Sequence, residues 1–251
     1  MSKRKVKKIL ISQPEPSNHK SPYYDIAKKY HVDIHFRPLI KVEPVSTKEF
    51  RQQRIQILDF TAIIFTAKTA VDHFFSLCKE LRVTVPETMK YFCVSESVAL
   101  YLQKYIVYRK RKIFFSTTGK IEGLNNALTK HAKEKFLFPV PEESGANLTH
   151  FLDEKKVNYT KSVMYRTVSV DFAKDEKLDH DMLIFFSPFG VTALLKNFPD
   201  FRQEDLKIGC FGKATAEAIE KEGLRIDCIA PQGEFLSMTA ALEAYLKENN
   251  A

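Results

Sequence analysis

Apolar and polar positions follow two different periods along this chain. Short runs rich in Ile, Val and Phe predict strands, and between them apolar residues recur with the spacing of amphipathic helices. The predicted strands cover residues 9–12, 32–36, 62–66, 90–94, 113–116, 136–138, 182–187, 207–211 and 226–230. The predicted helices cover residues 23–30, 47–58, 69–81, 97–104, 123–132, 146–155, 190–197, 213–222 and 236–249. Strands that are apolar on both faces and alternate with helices predict an α/β fold, with parallel sheets flanked by helices.

Two segments interrupt this alternation. Residues 36–45 and 163–172 are both long and extended, with polar residues at alternate positions. Because no helix closely flanks either segment, we expect both to cross between domains as a connector and to pair with each other. A length of 251 residues suits two domains, each with a core of its own.

An internal repeat is the most informative pattern. The matching segments are 8–15 with 135–142, 63–66 with 184–187, 92–99 with 209–216, and 119–128 with 233–242, at offsets of 127, 121, 117 and 114. The matches keep the same order while the offset shortens. Loose self-similarity of any α/β chain is the alternative, but a duplicated half accounts better for the order. A duplication predicts two similar lobes with a cleft between them.

The composition of the chain indicates the compartment in which the protein is expected to work. No apolar run approaches the roughly 20 residues that span a bilayer. The basic segment Met1–Lys8 is followed by only three apolar residues before Ser12, which is too short for a signal peptide. The four cysteines form no CxxC pair and lie mostly in apolar runs, so we expect buried, reduced thiols. These features favour the cytoplasm.

Charge points to an anionic partner. The formal net charge is +8, and the basic runs 3–8 and 109–112 could contact nucleic acid. A solvated tail and a charged loop are the better interpretation, because no aromatic residues are interleaved with these runs. The chain has no nucleotide-binding, hydrolase or zinc-protease motif, and its histidines lack the spacing of a metal site. We therefore expect chemistry without a cofactor or metal.

Polar residues follow the predicted strands at four strand-to-helix junctions: 65–69, 94–97, 186–190 and 211–215. Ligands of open α/β sheets gather at these carboxyl ends. Hydroxyls and free amides at helix starts can bind carboxylates or phosphates. Ordinary helix capping is the better explanation of any single junction. Four such junctions favour an anion-binding surface.

At these strand ends the chain resembles the uroporphyrinogen-III synthase family, from Ile9 to Leu246. The resemblance is spread over weak matches and is strongest in the second half. The segments that carry it are Phe185–Gly190, Ile208–Ala216, Glu222-Gly223, Ala230-Pro231 with the helix 236–246, Phe65-Thr66 before Ala70-Val71, and Val163–Thr167 around the family's connector tyrosine.

The resemblance implies two similar lobes joined by a two-stranded connector. Lobe one would comprise residues 1–37 and 172–251, lobe two residues 45–163, and the connector strands residues 38–44 and 164–171. The implied reaction is the cyclisation of hydroxymethylbilane to uroporphyrinogen III, with inversion of the last pyrrole ring and loss of water. The substrate is a linear tetrapyrrole polycarboxylate, and the enzyme would be a monomer without cofactor.

The family also implies roles for individual residues. Tyr165 matches the connector tyrosine that assists departure of the substrate hydroxyl. The matching substrate-binding positions are Thr66, Ser97, Ser187, Gly212 and Thr215. The first half departs from the family's pattern of Gly and then Thr, because it carries Ser95 and Val98 there, with Ser97 as the nearest hydroxyl.

Two other classes of function stay open from the residues alone. A non-catalytic two-lobed protein that senses an anionic metabolite would show the same duplicated lobes and polar strand ends. A nucleic-acid-associated protein would use the basic tail, Met1–Lys8, and would bind with strong salt dependence.

Overall fold

The computed structural model of the chain describes residues 5–17, 20–144, 147–173 and 176–250. Contacts between residues divide the chain into two compact units. Unit 1 combines residues 1–41 and 168–251, and unit 2 comprises residues 42–167. Both contain parallel sheets flanked by helices, so the predicted α/β class is confirmed.

The strands are, in chain order, β1 Lys8–Ile11, β2 Asp33–Phe36, β3 Ile40–Pro44, β4 Ala62–Phe65, β5 Lys90–Cys93, β6 Ile113–Phe115, β7 Phe136–Pro141, β8 Tyr159–Ser169, β9 Met182–Phe185, β10 Lys207–Phe211 and β11 Cys228–Ala230. The α-helices are α1 Pro22–Tyr30, α2 Thr47–Gln52, α3 Lys68–Glu80, α4 Glu96–Tyr101, α5 Asn125–Lys130, α6 Asn147–Glu154, α7 Pro188–Asn197, α8 Lys213–Lys221 and α9 Met238–Asn249. The predicted start of the sixth helix at Ala146 lies outside the described residues.

The sheet of unit 1 has the order β11-β10-β9-β1-β2, and all neighbouring strands pair in parallel. Its central strands β1, β9 and β10 are mainly apolar because both faces are covered, whereas the edge strand β2 carries Asp33 and His35. Successive side chains of a strand point to opposite faces. Ile9 and Ile11 accordingly lie in one buried cluster, while Leu10 lies in the other.

The second sheet has the order β3-β8-β7-β4-β5-β6. Its strands β4 to β8 pair in parallel, and it is likewise covered on both faces, with Ile63 in one cluster and Ile64 in the other. β3 lies beside β8, and the hydrogen bonds from Val45 N to Met164 O (3.0 Å) and from Val170 N to Leu39 O (2.9 Å) show that the two run in opposite directions.

The second extended segment is longer than its pattern predicts. β8 begins at Tyr159 rather than at 163, and it pairs in parallel with β7 along most of that strand. The hydrophobic pattern did not predict this part of the strand, because residues 160–162 are polar. Ser162 is nevertheless fully buried, so this half of β8 belongs to the sheet.

Corresponding strands of the two sheets pair at corresponding residues, so the two sheets share one register. Ile9 and Phe136 are 127 positions apart and pair with Met182 and Ala62, which are 120 apart. On their other side, Met182 and Ala62 pair with Lys207 and Lys90, which are 117 positions apart. In the next strands, Gly209 pairs with Cys228 and Phe92 pairs with Phe114, and Cys228 and Phe114 are 114 positions apart. Three offsets of the sequence repeat are thus reproduced, and the second is 120 rather than 121.

Three predicted helices are shorter than the apolar pattern indicates. The helix predicted at 47–58 ends at Gln52, because Arg54 adopts a positive φ of 55°, which breaks the helix, and a 3₁₀ turn follows at Ile57–Asp59. The helices predicted at 97–104 and 123–132 each consist partly of a 3₁₀ turn, at Leu102–Lys104 and Ile121–Leu124. Tightening to 3₁₀ geometry is common at helix ends.

The four cysteines, Cys78, Cys93, Cys210 and Cys228, are buried free thiols, as predicted. Burial disfavours the thiolate, and it raises the pKa of Cys210 to about 11 and that of each of the others to about 12. These cysteines therefore act as small apolar core residues rather than as nucleophiles.

Candidate functional site

The carboxyl ends of β1 and β9 form the natural ligand edge of unit 1. From β1 the chain places β2 on one side and β9 to β11 on the other, so strand order reverses between β1 and β9. Open α/β sheets bind ligands outside the strand ends at such a reversal. Ser12 and Ser187 follow these two strands, and Ser12 N donates to Ile184 O at 3.0 Å. Both hydroxyls lie near Gly190, since a Cβ built there would lie 3.7 Å from Ser187 Oγ and 3.9 Å from Ser12 Oγ.

Ser187 is the N-cap of α7. Its Oγ accepts a hydrogen bond from Gly190 N at 3.2 Å, and Pro188 opens the helix. Serine at an N-cap and proline in the first turn are both favoured at a helix start. The cap uses the acceptor of the hydroxyl, so its O–H is left to donate to an anion.

Gly212 and Thr215 lie one strand further along the same edge. Gly212 precedes α8 with φ 88° and ψ 145°, a conformation that only glycine adopts readily. Its carbonyl accepts from Thr215 N at 3.1 Å, and no side chain caps the helix. The amides in the first turn of α8 therefore receive no hydrogen bond acceptor from a capping side chain, and the start of α8 favours an anion. Thr215 itself is buried, with 2% of its surface exposed.

The corresponding edge of unit 2 follows β4 and β5. Thr66 comes directly after β4, but the N-cap of α3 is Ala67, which offers no side-chain cap. The corrected offset of 120 makes Ala67, not Thr66, the counterpart of Ser187. The prediction of Thr66 as that counterpart is therefore wrong by one residue, because an apolar strand pattern does not fix the strand end to the residue.

The next junction of unit 2 carries two serines. Ser95 is the N-cap of α4, and its Oγ accepts from Val98 N at 3.4 Å. Ser97 is exposed in the first turn, with its Oγ 3.1 Å from that of Ser95. Each unit thus has one junction helix with a serine cap and one without, but the order is exchanged: α3 and α8 lack the cap, and α4 and α7 have it.

Tyr165 projects from β8 into a largely apolar environment. Only 7% of its surface is exposed, and its ring stacks on that of His73, with centroids 5.0 Å apart and planes inclined by 16°. Burial, and secondarily the nearby carboxylate of Glu143, raises the pKa of Tyr165. Its hydroxyl makes no hydrogen bond with another described residue. Tyr165 is therefore a protonated phenol whose donor is available.

His73 was not singled out by its sequence context, because a lone histidine on a helix carries no pattern. It lies in the second turn of α3, the helix that follows the junction with Thr66. Burial lowers the pKa of His73, although the adjacent Asp72 opposes the shift. A neutral imidazole therefore lies against the phenol ring of Tyr165.

The arginine beside Tyr165 is already paired with carboxylates. Arg166 forms an ion pair with Glu49, and its Nε lies 3.6 Å from Glu142 Oε2. Hydrogen bonds from Ser46 and Arg166 lower the pKa of Glu49 to about 2. Arg166 thus serves the fold around β8 rather than an external anion.

Other features of the described residues do not compete for this role. A cavity of about 1160 Å³ in unit 1 opens at the opposite edge of the sheet, where Lys8 and Lys207 begin their strands, and is lined by charges of both signs. No three His, Cys, Asp or Glu side chains within the described ranges are placed to hold a metal ion. In the described part of the chain, no helix has the length and apolar character needed to cross a membrane.

Comparison with known proteins gives one family. Residues 23–240 match the family model described as uroporphyrinogen-III synthase HemD. Curated proteins give no significant match.

Solved structures show the same fold. The structure of uroporphyrinogen-III synthetase from Helicobacter pylori 26695 is 20% identical, with a TM-score of 0.60, over 97% of this chain and 100% of that one. A mutant uroporphyrinogen III synthase from the extremely thermophilic bacterium Thermus thermophilus is 16% identical, with a TM-score of 0.54, over 97% and 100% of the respective chains.

Proposed function

The chain belongs to the uroporphyrinogen-III synthase family, and we propose that it carries out the reaction of that family with the residues at its strand ends. The reaction is the cyclisation of hydroxymethylbilane to uroporphyrinogen III, with inversion of the last pyrrole ring and loss of water. The match over residues 23–240 is the observation that carries this function, since it extends across both units.

Tyr165 is proposed as the general acid. The pyrrole nitrogen of the substrate supplies the electron pair that expels the terminal hydroxyl, and Tyr165 Oη donates the proton with which that hydroxyl leaves as water. Two features support this role: the hydroxyl makes no hydrogen bond within the described residues, and burial raises the pKa of Tyr165, so the phenol keeps its proton at neutral pH. Proton donation of this kind accelerates a step by about 10²–10⁴-fold.

The remaining residues are proposed to hold the substrate. Thr66 and Ser97 in unit 2, and Ser187, Gly212 and Thr215 in unit 1, would bind its carboxylates through hydroxyls and first-turn amides. Binding of this type fixes the order in which the rings meet, which is catalysis by proximity. The net charge of +8 favours the capture of a polyanion.

We further propose that the enzyme works as a monomer in the cytoplasm. The four buried free thiols support a reducing compartment, because secreted proteins with several cysteines usually pair them.

A coupled assay tests the function. Hydroxymethylbilane generated by the preceding synthase is mixed with the purified protein, and the porphyrins obtained by oxidation are separated by chromatography. The type III isomer is expected. Hydroxymethylbilane left to itself closes to the uninverted type I isomer, so type I alone would reject the proposal.

The role of Ser187 yields a prediction that separates capping from binding. Ser187→Ala removes the cap and is expected to lower the free energy of unfolding by about 1 kcal/mol. Ser187→Asp keeps an N-cap acceptor, and it should retain stability within about 0.5 kcal/mol while raising KM about tenfold, because it places a negative charge beside an anionic substrate.

Ser237→Asp is the matched control. Ser237 caps α9 in the same way, accepting from Ala240 N, but this helix follows β11 at the outer edge of the sheet. Thermal melts and steady-state kinetics measure both effects. Equal KM values for Ser187→Asp and Ser237→Asp would limit Ser187 to a capping role.

A further inference from the structure

Exposed phenylalanines are concentrated at one edge of unit 1. Three phenylalanines of the described chain are exposed: Phe115 with 37% of its surface, Phe189 with 42% and Phe211 with 37%. Phe211 is the last residue of β10, and Phe189 lies in the first turn of α7. Two of the three therefore lie at adjacent junctions of the proposed substrate edge.

The ring of Phe211 lies on a second aromatic ring. It stacks on that of Phe186, with centroids 6.2 Å apart and planes inclined by 25°. Phe186 follows β9 directly and packs against the buried cluster that contains Ile9 and Ile184. Phe186 thus anchors the pair, and Phe211 presents apolar surface to solvent.

The fold does not require aromatic residues at these positions. The shared register makes Thr66 the counterpart of Phe186 and Val94 the counterpart of Phe211. The sheet of unit 2 has the same order with these smaller side chains. The aromatic pair is therefore an addition to unit 1 that sheet formation does not explain.

Polar groups lie directly beside the pair. Ser187 follows Phe186, and Gly212 follows Phe211, so each ring is adjacent to a helix start. The first turn of α8 has no side-chain cap. An aromatic face next to free hydrogen-bond donors matches a pyrrole ring, which has a flat π-face and carboxylate side chains at its rim.

We propose that Phe211, supported by Phe186, is a stacking platform for one pyrrole ring of the substrate, whose carboxylates reach Ser187 and the first turn of α8. This inference rests on the proposed function and adds a positioning residue to it. Offset stacking of aromatic rings contributes beyond simple burial. The platform would thereby fix the tilt of one pyrrole ring, while the amides of α8 would bind the carboxylates of that ring.

Steady-state kinetics of three variants tests the platform. Phe211→Ala is expected to raise KM about tenfold with kcat within about twofold, because stacking stabilises the bound substrate and the transition state alike. Phe211→Tyr keeps the ring and should keep KM within about twofold of the wild type. Phe211→Leu keeps the apolar bulk without the π-face and should follow the alanine variant. Melting temperatures are measured for each variant, so that a loss of packing against Phe186 is recognised separately from the change in KM.

Phe115→Ala is the matched control. Phe115 is also the last residue of a strand and has the same exposure, but β6 is the outermost strand of the other sheet, away from the reversal of strand order. Its KM should equal that of the wild type. Equal KM values for the two alanine variants, or a Phe211→Leu variant that binds like the wild type, would overturn the stacking role.

Fluorescence gives a direct measure of contact, because the chain has no tryptophan. Phe211→Trp and Phe115→Trp each introduce one indole. Anaerobic titration with uroporphyrinogen III, whose separate pyrrole rings do not absorb indole emission, should change the emission of Phe211→Trp only. An unchanged emission at saturating product, or a change that tracks protein concentration and marks self-association, would contradict the platform.

The two proposals fail in distinguishable ways. A wild-type protein that gives only type I porphyrin rejects the function itself. A wild-type protein that gives type III, together with Phe211 variants that behave like their Phe115 controls, rejects the platform alone.

Discussion

Replacing Tyr165 by phenylalanine is expected to lower kcat about 100-fold or more while the protein stays folded. The ring, its stacking on His73 and its place in the core are all retained, and only the hydroxyl is lost. That hydroxyl is the proposed donor of the proton with which the substrate hydroxyl leaves as water. KM should change little, because the donor acts mainly in the transition state. Initial rates of type III formation, with a thermal melt of each protein, measure the effect.

Tyr91→Phe is the control for this substitution. Tyr91 lies in the same buried cluster and is 4% exposed, and burial likewise raises the pKa of its hydroxyl. Both variants lose one buried phenol oxygen, so a general effect on packing would appear in both. We expect turnover of Tyr91→Phe to equal the wild type. A Tyr165→Phe enzyme with the same turnover would remove Tyr165 from the mechanism.

The pH profile of the wild type follows from the same residue. A raised pKa means that Tyr165 loses its proton only above the ordinary tyrosine value of about 10. The protonated, active form is therefore fully populated at neutral pH, and kcat should show no loss on the alkaline side until pH exceeds about 10. An alkaline loss near pH 7 would assign the acid to another group.

Gly212→Ala is expected to have the second largest effect. At φ 88° and ψ 145° a Cβ costs about 1–3 kcal/mol, although it would meet no atom within 4 Å. Relief of this strain requires the turn before α8 to move, and with it the amides proposed to bind a carboxylate. We therefore expect the free energy of unfolding to fall by that amount and KM to rise roughly tenfold or more. Urea titrations and steady-state kinetics give the two values.

Gly223→Ala provides the control at the opposite end of α8. Gly223 has φ 70° and also has no atom within 4 Å of a built Cβ. Its substitution should cost about 1 kcal/mol of stability with KM unchanged. If Gly212→Ala loses stability but keeps the wild-type KM, Gly212 serves the turn alone.

The strands were predictable because their pattern has a direct physical cause. Residues 207–211 were predicted and observed as one strand, since its middle residues 208–210 are buried and none of them has a polar side chain. The first half of β8 escaped prediction because Thr160 and Lys161 are exposed and Ser162, though polar, is buried. Only the pairing with β7, a long-range contact, makes those residues a strand.

The candidate site was predictable by position rather than by geometry. Ser187 follows an apolar run and caps the next helix, as its pattern indicates. Thr66 follows a similar run, yet Ala67 holds the N-cap, because β4 ends one residue before Thr66 and its helix starts two residues later. A difference of one residue decides whether a hydroxyl caps the helix, and the register of the paired strands reveals this difference. The contact between His73 and Tyr165 joins residues 92 positions apart and has no local signal.

Turnover with substrate in large excess tests the central claim most directly, because it separates a catalyst from a protein that only binds the tetrapyrrole. With hydroxymethylbilane at about 1,000 molecules per protein, the account predicts that nearly all of the porphyrin recovered after oxidation is the type III isomer. Type III isomer limited to one molecule per protein, with the rest type I, would contradict catalysis and favour a binding protein.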